Sequence, residues 1–95
     1  MPAYVVFMRD KTLDPTELAK YSTDVDASFD GHNVEFLADY GAIETLEGPQ
    51  IEGAVVLRFP DISSARAWYR SPRYQAIAQH RFQGATYRGF IVDGY

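Results

Sequence analysis

Several short stretches of the chain crowd β-branched and aromatic residues together, and two longer ones space their apolar residues at helical intervals. Ala3–Met8 is apolar at odd and even positions alike, is too short for a helix and has no internal glycine or proline, which predicts a first strand. Asp14-Pro15-Thr16-Glu17 then reads as a helix start: an N-cap acceptor, a proline at N1 and a glutamate at N3, with Leu13 and Leu18 spaced as a hydrophobic staple. Leu18, Tyr21, Val25 and Phe29 continue one helical stripe until Gly31 offers a left-handed cap, which predicts a helix over 14–30. Asn33–Ala38 predicts a second strand, with Ile43–Leu46 continuing it past a bend at Gly41 toward the Gly48-Pro49 turn. Gly53–Phe59 predicts a third strand, ended by Pro60. Asp61 caps a second helix carrying Ile62, Ala65 and Tyr69 on one stripe. Ser71-Pro72 interrupts it and restarts it with Tyr74, Ile77, Ala78 and Arg81 inward. Trp68 falls off that stripe, toward a helix edge or a partner subunit, and Thr86–Asp93 predicts a fourth strand.

The order β-α-β-β-α-β is that of the ferredoxin-like split unit, an α+β fold with a four-stranded antiparallel sheet and both helices on one face. Helices on one face leave the other bare. Yet the first strand is apolar at Val5 and Phe7 on one side and at Tyr4, Val6 and Met8 on the other, and the third pairs Val55, Leu57 and Phe59 with Ala54 and Val56 behind. Strands apolar on both sides call for cover on both sides. Exposing such side chains costs roughly 1.5–3 kcal/mol each, a sum comparable to the stability of a small domain, so a homodimer with facing sheets is expected.

Gly41-Ala-Ile-Glu-Thr-Leu-Glu-Gly48, Val55-Val-Leu-Arg-Phe-Pro60 and Ala65-Arg-Ala-Trp-Tyr-Arg-Ser-Pro-Arg-Tyr-Gln75, with Tyr4-Val-Val at the start, closely resemble the family catalogued as domain of unknown function 1330. The resemblance covers essentially the whole chain and implies a dimeric α/β barrel. That superfamily includes cofactor-independent monooxygenases, polyketide cyclases, lactone isomerases and haem enzymes beside proteins of no known activity, and it carries no catalytic residue over to this chain. Many relatives have a basic residue before the Glu-x-Leu-Glu-Gly segment, where this chain reads Glu35-Phe-Leu-Ala-Asp39-Tyr-Gly41.

Composition narrows the partners. At 95 residues the chain is expected to form a single domain over 1–95, and 46% apolar residues suit a folded core. There is no cysteine, which excludes disulfides, thiolate metal sites and cysteine nucleophiles. The opening residues show no targeting pattern and no run of about eighteen apolar residues occurs, so a soluble, cytoplasmic protein away from membranes is expected. Net charge is −4, divided as −9 over residues 10–52 and +4 over residues 53–95, with Arg9 making up the balance. A chain so short of lysine lacks the field that phosphate-backbone binding needs, and no nucleic-acid partner is expected. Arg66, Arg70 and Arg73 form a basic rim to be answered by Asp24, Asp26 and Asp30 of the first helix or, as the second alternative, by an anionic ligand drawn to the side of the second helix.

Candidate chemistry is sparse. No phosphate loop, dinucleotide fingerprint or nucleophile elbow occurs. His32 and His80 are the only histidines and lack ligand spacing, so neither metal nor cofactor is expected. Both histidines sit where helix ends favour a cation, and both are also the natural proton-transfer groups at neutral pH. Arg81 points inward among apolar residues, where it either lays its stem on the core and reaches out, or meets a buried anion from the acidic half or from a ligand. Tyr69 and Tyr74 flank the Ser71-Pro72 break, where two short helices leave room beside a sheet. The expected site is therefore a pocket between sheet and second helix, lined by Tyr69, Tyr74, His80 and Arg81 and taking a small anionic or aromatic molecule. Cofactor-independent proton transfer, cyclisation or oxygenation is the chemistry it would support, and a non-catalytic dimeric module is the alternative.

Overall fold

The computed structural model describes all 95 residues. Eight elements follow one another: β1 (Ala3–Thr12), α1 (Pro15–Asp24), a 3₁₀ turn (Val25–Phe29), β2 (Glu35–Asp39), β3 (Gly53–Phe59), α2 (Ile62–Tyr69), α3 (Pro72–Gly84) and β4 (Ala85–Asp93). The strands form one antiparallel sheet in the order β2-β3-β1-β4, with the helices on one side, a ferredoxin-like α+β architecture. No helix is long and apolar enough to cross a membrane.

Caps set the helix boundaries. Asp14 Oδ1 accepts from the amides of Thr16 and Glu17 at 3.0 and 3.4 Å, and Asp61 accepts from Ser64 N at 2.7 Å. Ser71 does double duty at the break: its hydroxyl donates to Trp68 O at 2.7 Å and accepts from Tyr74 N at 3.2 Å, ending α2 and starting α3. Gly31 does take the left-handed conformation, φ +81°, but the helix before it differs from the expected one. It stays α-helical only to Asp24 and then tightens, which turns Ser28 inward to receive the Trp68 Nε1–H at 3.1 Å.

That hydrogen bond belongs to the main correction. Trp68 is neither at an edge nor on a partner surface; it is fully buried at the centre of the core, stacked on Phe29 at 4.9 Å and packed on Tyr74 at 4.1 Å and Phe59 at 5.8 Å. An eight-residue helix buries a broad arc when a sheet lies below it and the 3₁₀ turn beside it, so Ala65 and Trp68 go in together. The expected strand over 43–46 is likewise absent. Tyr40 adopts φ +56°, the chain leaves the sheet there, and 40–52 runs as an irregular arm that returns through Glu52 N–H to Arg9 O at 2.8 Å. Of the basic rim, only Arg73 meets its expected acid, Asp30 at 3.7 Å.

Register separates the two sheet faces. Ala3, Val5 and Phe7 of β1 lie opposite Phe59, Leu57 and Val55 of β3 and are buried under the helices. Tyr4, Val6 and Met8 alternate to the far face beside Val56, Ala54, Phe90 and Val92. Phe90 and Val92 stand 47% and 46% exposed there, and the apolar patch is bordered by the cross-strand pairs Glu35–Arg58 at 3.9 Å and Asp10–Arg88 at 3.1 Å.

Candidate functional site

A cavity of about 530 Å³ lies between α3 and the β1–β4 side of the sheet. Its floor is Val5, Phe7 and Ile91, and it owes its depth to Gly89, which faces Phe7 across the ladder. A Cβ at Gly89 would come within 2.6 Å of the Phe7 ring, so the absent side chain lets that ring lie flat against the strand. Tyr69 of α2 and Arg81 and Phe82 of α3 line it from the helix side, Thr86 and Tyr87 from β4, and the exposed Leu13 stands at its edge. Leu13 is therefore no buried staple residue; it stays mostly exposed while Leu18 packs on Gly84.

Arg81 is the one charged residue of this lining and is only 4% exposed. It neither reaches out to solvent nor meets a carboxylate, and it forms no ion pair in the chain. Instead its guanidinium carbon sits 4.5 Å from the Phe7 ring, 4.9 Å from Phe82 and 5.0 Å from Tyr87, and Nε donates to Tyr74 Oη at 3.3 Å. Ring faces carry partial negative charge and replace part of the lost hydration. Burial works against the charge, but the tyrosines around it more than compensate, and Arg81 stays a cation at every working pH.

Tyr74 stands behind Arg81 rather than in the cavity. It is fully buried, and its hydroxyl also meets Tyr21 Oη at 3.0 Å. Burial pushes both phenols up, most strongly for Tyr21, while the Arg81 charge pulls Tyr74 back, so both remain neutral donors and acceptors. Tyr87 is braced from the other side by Tyr40, whose hydroxyl meets its own at 2.5 Å. The Tyr40 ring lies over Gly53, where a Cβ would approach it to 2.7 Å, and under the Arg9 guanidinium.

Of the four residues expected at the site, the structure brings Tyr69 and Arg81 to the cavity and places Tyr74 directly behind Arg81. It does not bring His80 there: Nδ1 lies 2.6 Å from Glu17 Oε2 and ties α3 to α1. Phe7, Phe82, Tyr87 and Gly89 were not legible as site residues. The one local signal among them is a glycine inside a strand, which marks a close approach. No group of histidine and acidic residues is placed to hold a metal ion.

Comparison with known proteins gives the following. A family model described as "Domain of unknown function (DUF1330)" matches residues 2–95. No curated protein matches the sequence. Among solved structures, a protein of unknown function from Rhodopseudomonas palustris is 19% identical, with a TM-score of 0.70 over 99% of this chain and 82% of that one. A dimeric ferredoxin-like protein of unknown function from Thermobifida fusca is 17% identical, TM-score 0.66, over 99% and 92%. SnoaB, a cofactor-independent oxygenase from Streptomyces nogalater, is 12% identical, TM-score 0.63, over 99% and 93%. At such identities the likeness is one of fold.

Proposed function

The chain belongs to the DUF1330 family, and from that membership and the cavity we propose a homodimer in which each protomer holds a small anionic or aromatic organic molecule beneath α3. One observation carries the ligand: a buried guanidinium without a carboxylate partner faces an otherwise apolar cavity of about 530 Å³, within the usual range for organic ligands. A buried cation that the protein leaves unpaired is a strong attractor for an anion from solution.

Support for the dimer comes from the far face of the sheet. Tyr4, Val6, Met8, Ala54, Val56, Phe90 and Val92 form a contiguous apolar surface bordered by ion pairs, the composition of an interface core with a polar rim. The Thermobifida fusca neighbour is described as dimeric. Sedimentation at micromolar concentration should give twice the 10.7 kDa chain mass, and Val6→Asp with Val56→Asp should give the monomer. A wild-type monomer overturns the pairing.

A thermal-shift screen of aromatic carboxylic acids tests the ligand. A binder at about a hundred times its Kd adds about 2.7 kcal/mol, and Arg81→Met should abolish that gain. A broad panel without a hit leaves a dimeric module with no ligand. In the catalytic form of this reading, no cofactor takes part: Arg81 stabilises an enolate-like charge while Tyr69 or Tyr87 moves a proton. The oxygenase neighbour supports it at the level of fold. A hit recovered unchanged after prolonged aerobic incubation assigns binding alone.

A further inference from the structure

Arg81 offers the cavity less than its full set of donors, and what remains has a shape. Nε is engaged by Tyr74 Oη at 3.3 Å, and Tyr74 is itself immobile: fully buried, its ring 4.1 Å from Trp68, its hydroxyl 3.0 Å from Tyr21 Oη. The rings of Phe7, Phe82 and Tyr87 hold the guanidinium in place. The two terminal amino groups make no hydrogen bond to the protein, and neither is sealed from solvent-accessible space. They form a planar fork whose spacing matches the two oxygens of a carboxylate. No second cation lines the cavity, so a dianionic phosphate or a dicarboxylate would bring more charge than the site can answer. The rest of the lining is apolar but for Thr86 and the tyrosine hydroxyls, which suits an aromatic or branched aliphatic body.

We infer that the ligand is an apolar monocarboxylate taken end-on by the two terminal amino groups of Arg81, and that Tyr74 is the positioning residue that aims them. This rests on the cavity reading above. Tyr74 touches no ligand; it acts by holding Nε, so that the fork faces the cavity.

The experiment compares 2-naphthoate, its uncharged isostere 2-naphthamide and 2-naphthyl phosphate by isothermal titration against the full chain and two variants. Wild type should prefer the carboxylate over both others by at least about tenfold. Arg81→Lys keeps the charge but not the fork, and Tyr74→Phe keeps Arg81 but frees Nε. Each should cut the preference below about threefold, with 2-naphthamide affinity in Tyr74→Phe within about twofold of wild type. A merely structural Tyr74 would weaken acid and amide in proportion and leave their ratio alone. Preference retained in either variant, or phosphate bound most tightly, overturns the inference while the cavity reading stands. Failure of all three probes on wild type removes the cavity reading itself. Should Tyr74→Phe not fold, Arg81→Lys still decides the fork.

Discussion

Toward β2 and β3 the space beneath the helices is filled, and toward β4 it is hollow. On the filled side Trp68 stacks between Phe29 and Tyr74 above Phe59, and the void beside Trp68 and Phe29, bounded by Phe36, Val55 and Leu57, is about 50 Å³. On the hollow side the same sheet face carries Gly89 and Ala85 where side chains would be needed to meet α3, and the space is about 530 Å³. At the centre of the filled side the buried polar groups are paired: Trp68 Nε1 donates to Ser28 Oγ, which donates to Val25 O at 2.6 Å. The hollow side buries a full charge with one hydrogen bond and three ring faces. The contrast separates the part of the core that is packed and fully hydrogen-bonded from the part where packing is left open around a charge.

Breaking the filled side has the largest expected effect. Trp68→Ala removes the ring that five other aromatics contact and leaves Ser28 without its donor. It should lower the unfolding free energy by about 3–5 kcal/mol in a denaturant titration, a large part of what a chain this size possesses. A smaller loss would mean that the rings close over the gap. Next comes the hollow side. Gly89→Ala drives a Cβ into the Phe7 ring, 2.6 Å away, and should cost about 1–3 kcal/mol while weakening any ligand of the cavity. If ligand binding is unchanged, Gly89 does not shape the floor.

Arg81→Met sharpens the contrast in the other direction. Replacing an unpaired buried cation by an apolar side chain of similar length should leave the stability of the ligand-free protein unchanged or raise it by about 1 kcal/mol, while anion binding is lost. A clear loss of stability would make Arg81 part of the supporting core rather than of the site. The smallest effect concerns the clamp between α1 and α3. The hydrogen bond from His80 holds the Glu17 carboxyl below its ordinary 4.5, with burial opposing and Lys20 helping. Its contribution is complete above pH 4.5 and fades as the pH falls through the lower folded value. Wild-type melting temperature should therefore drop on acidification below that point more than that of Glu17→Gln, and parallel curves would remove the clamp.

Much of the framework was legible because its signals are local. The Gly53–Phe59 strand, the Asp14-Pro15 helix start and the double helix broken at Ser71-Pro72 each depend on caps and periodicity within a few residues, and the structure has them where expected. The apolar residues on both sides of β1 and β3 also foretold the surface at Tyr4, Val6 and Val56. Trp68 was misjudged because one helical stripe was taken as the buried face, whereas a short helix wedged between sheet and 3₁₀ turn buries a wider arc. His80 was expected at the site as a proton-transfer group at neutral pH, yet it lies about 100° around the helix from Arg81. Its partner, Glu17, belongs to another helix.

Amino-acid order alone thus determined the succession of elements, the two-sided apolar sheet and the inward course of Arg81, since dihedral preferences and side-chain periodicity operate between near neighbours in the chain. Only the tertiary structure decided that Gly89 faces Phe7, that Tyr74 takes the Arg81 Nε, and that a hollow rather than a packed core lies beneath that cation. Those facts depend on strand register and on how α3 crosses the sheet, and a cavity is defined by atoms that are missing from contact between distant segments, for which no local stretch of sequence carries a signal.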